Sequence, residues 1–382
     1  MKTGIAYVGC GFVADFYHAC LPNSADLLEV TGCWDRNIAR LQAFTGYHRL
    51  HAYGSLDEVL ADPRVKIVVN LTNPDQHYTV SKACLEAGKH VYSEKPLAMD
   101  LDDARALIAL AREQDLEIAA APASVLGEAA QTLWRAVRKD VAGPVRLVYA
   151  ELDDGMVHKI GYQNWRSISG APWPARDEFA TGCTLEHAGY ALSWLAAMLG
   201  PVRRVVAHAA LTVPDKGPET PASYTTPDFS CGCLVFDGGV VARVTNSIIA
   251  PHDHRLRLFG EGGELRMGEI WDFEAPVTFR PVLESRAERF IEKKTGLRRS
   301  RTLPPVRKRK VASAANGANM DFTRGLAEMA EALVEGRTPR LAGDFSLHIT
   351  EVSLALQYPD RFGTDYQVTS DFAPMTPMPW AG

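Results

Sequence analysis

No apolar run among these 382 residues reaches the ~20 that a membrane-spanning helix needs, so no such helix is expected. Neither sign of charge is in marked excess. The 41 lysines and arginines face 46 aspartates and glutamates, a net of -5, and nothing global points to nucleic acid. The cysteines supply neither a disulfide framework nor a metal motif. They number seven, which is odd, and Cys10, Cys33 and Cys84 sit among apolar neighbours. Cys231-Gly232-Cys233 lacks metal spacing and a second ligand pair, so it reads as strand. This usage fits reduced, buried thiols in a cytoplasmic protein. The opening MKTGIAYVGCGFVADF contains a short apolar run. Glycines break it, Asp15 follows, and no small-residue cleavage pattern comes after, so it does not read as a signal peptide. Internal repeats are absent.

What is present is enough chain for two domains and a sizeable core. Residues 1–122 alternate strand and helix. GIAYVG, LEVTGCWD, KIVVNLT, HVYSE and LEIAAA read as strands, and the stretches between them as helices. Gly46 and Gly88 are placed to stop two of those helices in the left-handed conformation. Strands separated this way build a parallel, doubly wound sheet with right-handed crossovers. After Pro122 the grammar changes. A helix over about 127–139 leads into VRLVYAEL, VRRVVAHAAL, FSCGCLVF, GVVARVTNSI and RLRLFGEGGELRM, with glycine turns in FDGGVV and GEGGEL. A helix over 183–199 interrupts the strands, and two more follow near the C-terminus. The expectation for 123–382 is an α+β domain with an open, mostly antiparallel sheet, helices on one face, and a C-terminal segment that can return to the first domain.

VGCGFVA places Gly9, Gly11 and Ala14 in the spacing of a dinucleotide fingerprint, with Phe12 and Val13 between the last two. The first glycine permits the turn, the second lets backbone approach a pyrophosphate, and the small third residue lets helix and strand pack closely. Free N–H groups and the helix dipole then meet negative charge. The next strand ends in Asp35, placed to accept from a ribose hydroxyl, which favours NAD because a carboxylate repels a 2′-phosphate. Arg36 beside it could stack on adenine, or hold that phosphate and admit NADP. Thr72 and Asn73 end the third strand on the ligand-binding edge. His77 follows as either a cofactor contact or a packing histidine.

Glu94-Lys95-Pro96 sits between the fourth strand and the next helix. A lysine in such a loop is ordinarily a solvated charge. The string LTNPDQHYTVSKACLEAGKHVYSEKPLA resembles the core signature of the Gfo/Idh/MocA oxidoreductases, and the resemblance runs from residue 4 to about 122 before weakening through TGCTLEHAGYALSWLAAMLG. It implies two domains, a nicotinamide cofactor near Glu94 and Lys95, and oxidation or reduction of a carbinol carbon on a sugar, polyol or nucleotide- or lipid-linked sugar. It also implies that Lys95 is catalytic, and that the second sheet mediates a homodimer or homotetramer. Physical chemistry agrees on the lysine. Partial burial beside an oxidised nicotinamide ring is expected to lower its pKa, so the amine can take or give the alcohol proton.

In the second motif the commoner carboxylate and histidine, four residues apart, become Glu186 and Tyr190. Positions i and i+4 share a helix face. Tyrosine here resembles the sugar and glucose–fructose oxidoreductase branch, where it pairs with the lysine. Tyr190 as a core aromatic of an apolar helix is the competing reading. His187 lies about 100° around the helix and is expected to face elsewhere, although it joins the substrate-site candidates if the segment is irregular. Trp165 and Arg166, with Trp173, lie in a loop that reads either as a cover over a sugar or as an aromatic-rich loop simply packed on its domain. His252 and His254 alternate on a strand and share a face, but no third ligand is evident and no metal is expected. RAERFIEKKTGLRRSRTLPPVRKRK, residues 286–310, carries eleven lysines and arginines against two glutamates. It reads either as a solvated insertion or as a basic arm for anionic substrate or lipid surface, with Phe290, Ile291 and Leu297 in a short amphipathic helix. Two rival functions remain: an NAD-dependent glycosidase working through transient oxidation, and an NAD-sensing regulator. An intact Lys95 argues against the second.

Overall fold

The computed structural model describes residues 2–220, 223–296, 299–313 and 319–382. The first sheet holds β1 (Thr3–Val8), β2 (Leu28–Trp34), β3 (Ile67–Asn70), β4 (His90–Ser93) and β5 (Ile118–Ala120), all parallel in the order β2-β1-β3-β4-β5. Helices α1 (Phe12–Cys20), α2 (Ile38–His48), α3 (Leu56–Ala61), α4 (His77–Glu86) and α5 (Leu101–Glu113) fill the connections. Both faces of such a sheet are covered, which is why every residue of β3 is buried. The strand order reverses beside β1, and that switch point opens the crevice where ligands bind.

Local chemistry sets most boundaries. The Ser55 and Asp100 side chains accept from backbone N–H groups at the starts of α3 and α5. Gly88, at φ +74, follows the end of α4 as expected. The expected stop at Gly46 is not used. The α2 helix continues to His48 and ends at Arg49, itself left-handed at φ 57. Packing explains the extension: the His48 ring lies 4.6 Å from Phe44, and its Nε2 lies 2.5 Å from Asp15.

The second domain contains α6 (Glu128–Arg138), β6 (Val145–Asp153), α7 (Ala175–Thr181), α8 (Cys183–Leu199), β7 (Val202–Ala210), β8 (Phe229–Phe236), β9 (Val241–Ser247), β10 (Leu256–Gly260), β11 (Gly263–Met267), β12 (Thr278–Pro281), α9 (Arg286–Thr295), β13 (Arg301–Thr302), α10 (Arg324–Glu335), α11 (Gly343–Gln357) and β14 (Asp365–Gln367). Its sheet runs β13-β12-β11-β10-β6-β9-β8-β7-β14. Every described pairing is antiparallel except the central β6–β9 pair, so the sheet is mixed and mostly antiparallel. Alternate residues of β8 (Ser230, Gly232, Leu234 and Phe236) are buried, and α8 and α11 cover this sheet.

The helix α8 ties the halves together. Its Trp194 Nε1 donates to Ser124 Oγ at 2.9 Å, and Gly189 packs on Pro122. The C-terminal part reaches back as well. Ser346 Oγ accepts from the Ala120 N–H at 3.0 Å, and the Phe322 ring lies 5.3 Å from Phe16. Cys10, Cys33 and Cys84 are buried, and Cys231 and Cys233 lie on β8 as expected.

The basic segment divides in two. The helix α9 begins with a Ser285/Glu288 capping box, buries none of its residues, and exposes Phe290 and Ile291. Leu297 lies outside the described residues. The mobile, solvated insertion is corrected for the part after the prolines begin: 303–312 form a docked strap. Val306 N donates to Thr132 Oγ1 at 3.1 Å. Arg307 pairs with Glu128 at 2.9 Å and stacks 3.6 Å above Trp380, and Arg309 bonds the Asn23 carbonyl. Backbone and guanidinium donors find buried acceptors along α6, and these contacts anchor the segment.

Candidate active site

The β1–α1 turn has the shape a pyrophosphate needs. Gly9 sits at φ +100, and a Cβ there would come within 2.5 Å of the Leu71 carbonyl oxygen. Both facts demand glycine. Gly11, just before α1, has nothing within 4 Å of the position its Cβ would take, so its backbone opens onto the cavity. Ala14 is buried where helix meets strand. Phe12 and Val13 line the opening.

Asp35 directly follows β2 and is buried. Its Oδ2 accepts from Cys10 N at 2.8 Å and Arg40 Nε at 2.7 Å. Its Oδ1 accepts from Asn37 N at 2.7 Å and Arg40 Nη2 at 2.9 Å. The partner is therefore Arg40, which the sequence reading missed, and Arg36 is exposed. Arg40 lines the cavity. Thr72 and Asn73 line it too, and Asn73 Nδ2 donates to Asp177 Oδ2 at 2.7 Å. His77 borders the cavity, but its ring nitrogens face the carbonyls of Pro96 (2.7 Å) and Thr72 (3.0 Å). It ties the end of β3 to the Pro96 turn.

Lys95 lies at the centre. Its ammonium pairs with Glu186, whose side chain is 4 % exposed. Glu178, on α7, lies close enough to both to act on their charges. Burial and then the neighbouring Glu186 hold Glu178 well above the usual carboxylate range, which favours its protonated form. Glu94 accepts from Tyr17 Oη at 2.7 Å and from the Lys95 N–H at 3.1 Å. The expected lowering of the Lys95 pKa is for a lysine beside an oxidised nicotinamide ring; the protein's own groups act in the other direction. Burial does act to lower it, but Glu186, Glu178, Tyr190 and Glu94 outweigh burial and push it well above the ordinary value. Without a positively charged ring beside it, Lys95 is an ammonium in a carboxylate cage.

The cavity, about 1030 Å³, lies between the two domains and takes in Lys95, Glu94, Glu178, Glu186, His187 and Tyr190. It exceeds the ~300–1,000 Å³ of common small-molecule pockets, which leaves room for a cofactor end and a second molecule. Glu186 and Tyr190 both face it, as the i, i+4 spacing implies. Burial, opposed by Lys95, raises the Tyr190 phenol above its ordinary pKa, so it stays neutral. His187 does not face elsewhere. It also lines the cavity, with Nε2 2.8 Å from Asp154 Oδ2. The α8 helix is wrapped on several sides, so residues 100° apart reach the same wide cleft. Trp165, Arg166 and Trp173 form part of the rim. Trp165 packs 5.1 Å from Trp173, and Arg166 donates to the carbonyls of Gln163 and Trp165. Phe16, Phe322 and Trp271 complete the walls. Nothing in the local spacing announces Glu178, Asp154 or Trp271, because each reaches the site only through tertiary folding.

Residues 3–121 match the family model described as "Oxidoreductase family, NAD-binding Rossmann fold", and residues 130–266 match the "GFO/IDH/MocA C-terminal domain". The chain belongs to the Gfo/Idh/MocA family. It is an NAD(P)-binding oxidoreductase with the family's Rossmann domain and mixed-sheet second domain. An uncharacterized oxidoreductase of Escherichia coli, YhhX, is 37% identical over 121 residues, 31% of this chain and about a third (34%) of that relative's length. The mouse trans-1,2-dihydrobenzene-1,2-diol dehydrogenase is 24% identical over 275 residues, 71% of this chain and 75% of that one. Among solved structures of this Gfo/Idh/MocA fold, the WlbA dehydrogenase of Bordetella pertussis in complex with NADH and UDP-GlcNAcA superposes with a TM-score of 0.72. It is 17% identical, and the match covers 97% of this chain and 99% of that one. The aldose-aldose oxidoreductase of Caulobacter crescentus also gives 0.72, at 20% identity, covering 96% and 100%. No helix among the described residues is long and apolar enough to cross a membrane.

Proposed function

We propose that this protein transfers a hydride between NAD(H) and a carbinol carbon of a carbohydrate, with Lys95 as the general acid/base. The carbohydrate is a sugar, a polyol, or a nucleotide- or lipid-linked sugar. The observation that carries the reading is the Lys95 ammonium, held by Glu186 in the cavity that the β1–α1 turn and Tyr190 also border. Support for a carbohydrate comes from the relatives whose names specify aldoses and a UDP-sugar, and from the aromatic rim.

Gly9, Gly11 and the start of α1 would hold the cofactor phosphates, and Asp35 with Arg40 the adenosine ribose. Bound there, the nicotinamide dinucleotide supplies or accepts the hydride. Lys95 in its charged form donates a proton to the oxygen of a carbonyl being reduced, and stabilises charge that develops on that oxygen. In the oxidative direction Lys95 must first be neutral, with its partner Glu186 as the carboxylate to share its proton. Tyr190 offers a neutral hydroxyl to orient the reacting alcohol.

A panel of free sugars, polyols and nucleotide sugars, each followed at the nicotinamide absorbance band with NAD and NADP, tests the substrate class. Turnover of at least one carbohydrate with net cofactor change supports it. Turnover confined to non-carbohydrate alcohols would replace it.

NAD is expected to bind several-fold more tightly than NADP. Two like charges about 4 Å apart repel by roughly 1 kcal/mol in water, and Asp35 is the carboxylate a 2′-phosphate would meet. Asp35→Ser should narrow the gap in fluorescence titrations. An NADP preference in the unaltered protein would mean that the Arg40 guanidinium governs the choice.

Tyr190→Phe removes only a hydroxyl. A hydrogen bond to the reacting alcohol is worth ~0.5–1.5 kcal/mol, so turnover should fall by up to roughly tenfold while Tm holds. An unchanged rate would assign Tyr190 to the core.

A further inference from the structure

His252 and His254 do have a third group beside them. Asp154, just past β6, brings Oδ1 to 2.9 Å from His254 Nε2 and 3.7 Å from His252 Nδ1. The three ligand-type atoms lie within 4.8 Å of one another. Backbone pairing fixes the arrangement: Asp153 bridges Asp253, and His254 bridges Glu269.

Three details distinguish this cluster from an ordinary hydrogen-bonded network. The first is His254, whose side chain is fully buried. Its Nε2 has no hydrogen-bond partner despite the Asp154 oxygen 2.9 Å away. The oxygen lies off the ring N–H axis, so the nitrogen points past it. Two donors sharing one ion at ~2.0–2.1 Å sit about 3–3.5 Å apart with their axes converging on the ion and not on each other. The second is Glu269. Its Oε1 lies 3.0 Å from His254 Nδ1, and its Oε2 lies 2.9 Å from His252 Nε2. One carboxylate therefore engages the outer nitrogen of both rings and leaves the inner nitrogens, His254 Nε2 and His252 Nδ1, on the side where Asp154 lies. Metal-binding histidines are oriented in this way. The third is Asp154, whose other oxygen lies 2.8 Å from His187 Nε2, so the proposed ligand is itself braced.

We propose that Asp154, His252 and His254 form a binding site for one divalent first-row transition ion, held through Asp154 Oδ1, His252 Nδ1 and His254 Nε2. Two imidazoles and a carboxylate suit zinc, cobalt or manganese, and three protein ligands leave coordination positions free. Asp154, His252 and Glu269 line the same cavity as Lys95 and Tyr190. The open positions then take an oxygen of the substrate, either a hydroxyl or a carboxylate away from the reacting carbon. The ion anchors substrate and takes no part in the hydride step. The binding site stands whether or not the substrate is a carbohydrate.

The test uses the purified full chain, dialysed against chelator and titrated with cobalt(II) chloride while visible absorption is recorded, followed by competition with zinc chloride. One saturable equivalent of cobalt, displaced by zinc, is expected. Asp154→Asn and His252→Ala should weaken binding by more than the ~10–100-fold of an outer-ligand change, and Glu269→Gln should fall within that range. His252 is 56 % exposed, so its replacement by alanine is compatible with folding, which circular dichroism verifies. Failure of the unaltered protein to bind one saturable equivalent, or binding untouched by His252→Ala, would overturn the site and leave a cluster held by protons alone. Neither result bears on NAD-dependent turnover by Lys95, so the two readings fail separately.

Discussion

Replacing Lys95 with methionine is expected to lower turnover at least ~10²-fold, the range for losing a general acid/base. Methionine keeps most of the stem and removes only the charged, proton-bearing end. Affinity for NAD should change little, because Gly9, Gly11 and Asp35, the residues proposed to hold the phosphates and the ribose, lie on other loops. Stability is expected to hold better than the neutral substitution alone suggests. The lost ammonium leaves Glu186 unpaired, but Glu178 beside it favours its protonated form and can share a proton with it. Steady-state rates with cofactor titration and thermal melts separate these effects. A methionine variant within a few-fold of the unaltered rate would make Lys95 only a partner for Glu186.

Glu186→Gln should produce the second large effect, and its sign follows from the charges around Lys95. Glu186 is the strongest of the groups that raise the Lys95 pKa, while burial alone would lower it. Removing that carboxylate therefore drops the lysine pKa. In carbonyl reduction Lys95 must be charged, so activity falls as pH rises through its pKa. The alkaline limb of the reduction profile should accordingly move to lower pH in the glutamine variant. Breaking a buried pair by deleting one partner costs about 3–5 kcal/mol. Glu178 and Glu94 remain close, so the lower part of that range is expected, read as a reduced Tm. An alkaline limb that stays in place would mean another group titrates it.

The residues proposed for catalysis and phosphate binding were legible because they are local. Gly9, Gly11 and Lys95 are each fixed by a few consecutive residues at a strand end, where spacing alone places a side chain or a bare backbone. Glu186 and Tyr190 were legible through one helical repeat. The electrostatics were not. Arg40 takes up Asp35 only because α2 folds back across the strand end. The Lys95 pKa is raised first by its pairing with Glu186, a contact made only in the folded chain, and then by Glu178, which arrives on a helix separated from α8 by Gly182. Asp154 meets His254 beside the isolated Asp153–Asp253 bridge, a pairing no linear spacing announces. His187 reached the cavity because the cleft is wider than one helix face. The strap at 303–312 read as a free arm because its anchors, Glu128, Thr132 and Asn23, lie far back in the chain.

The account rests on direct, net hydride transfer between the substrate carbinol carbon and the cofactor. A carbohydrate deuterated at the carbon it oxidises, incubated with the enzyme and NAD and analysed by mass spectrometry, measures that step. The account predicts one deuterium in the reduced nicotinamide for each molecule of oxidised product. Product release with unlabelled, unreduced NAD would contradict it, pointing to transient oxidation that ends in bond cleavage.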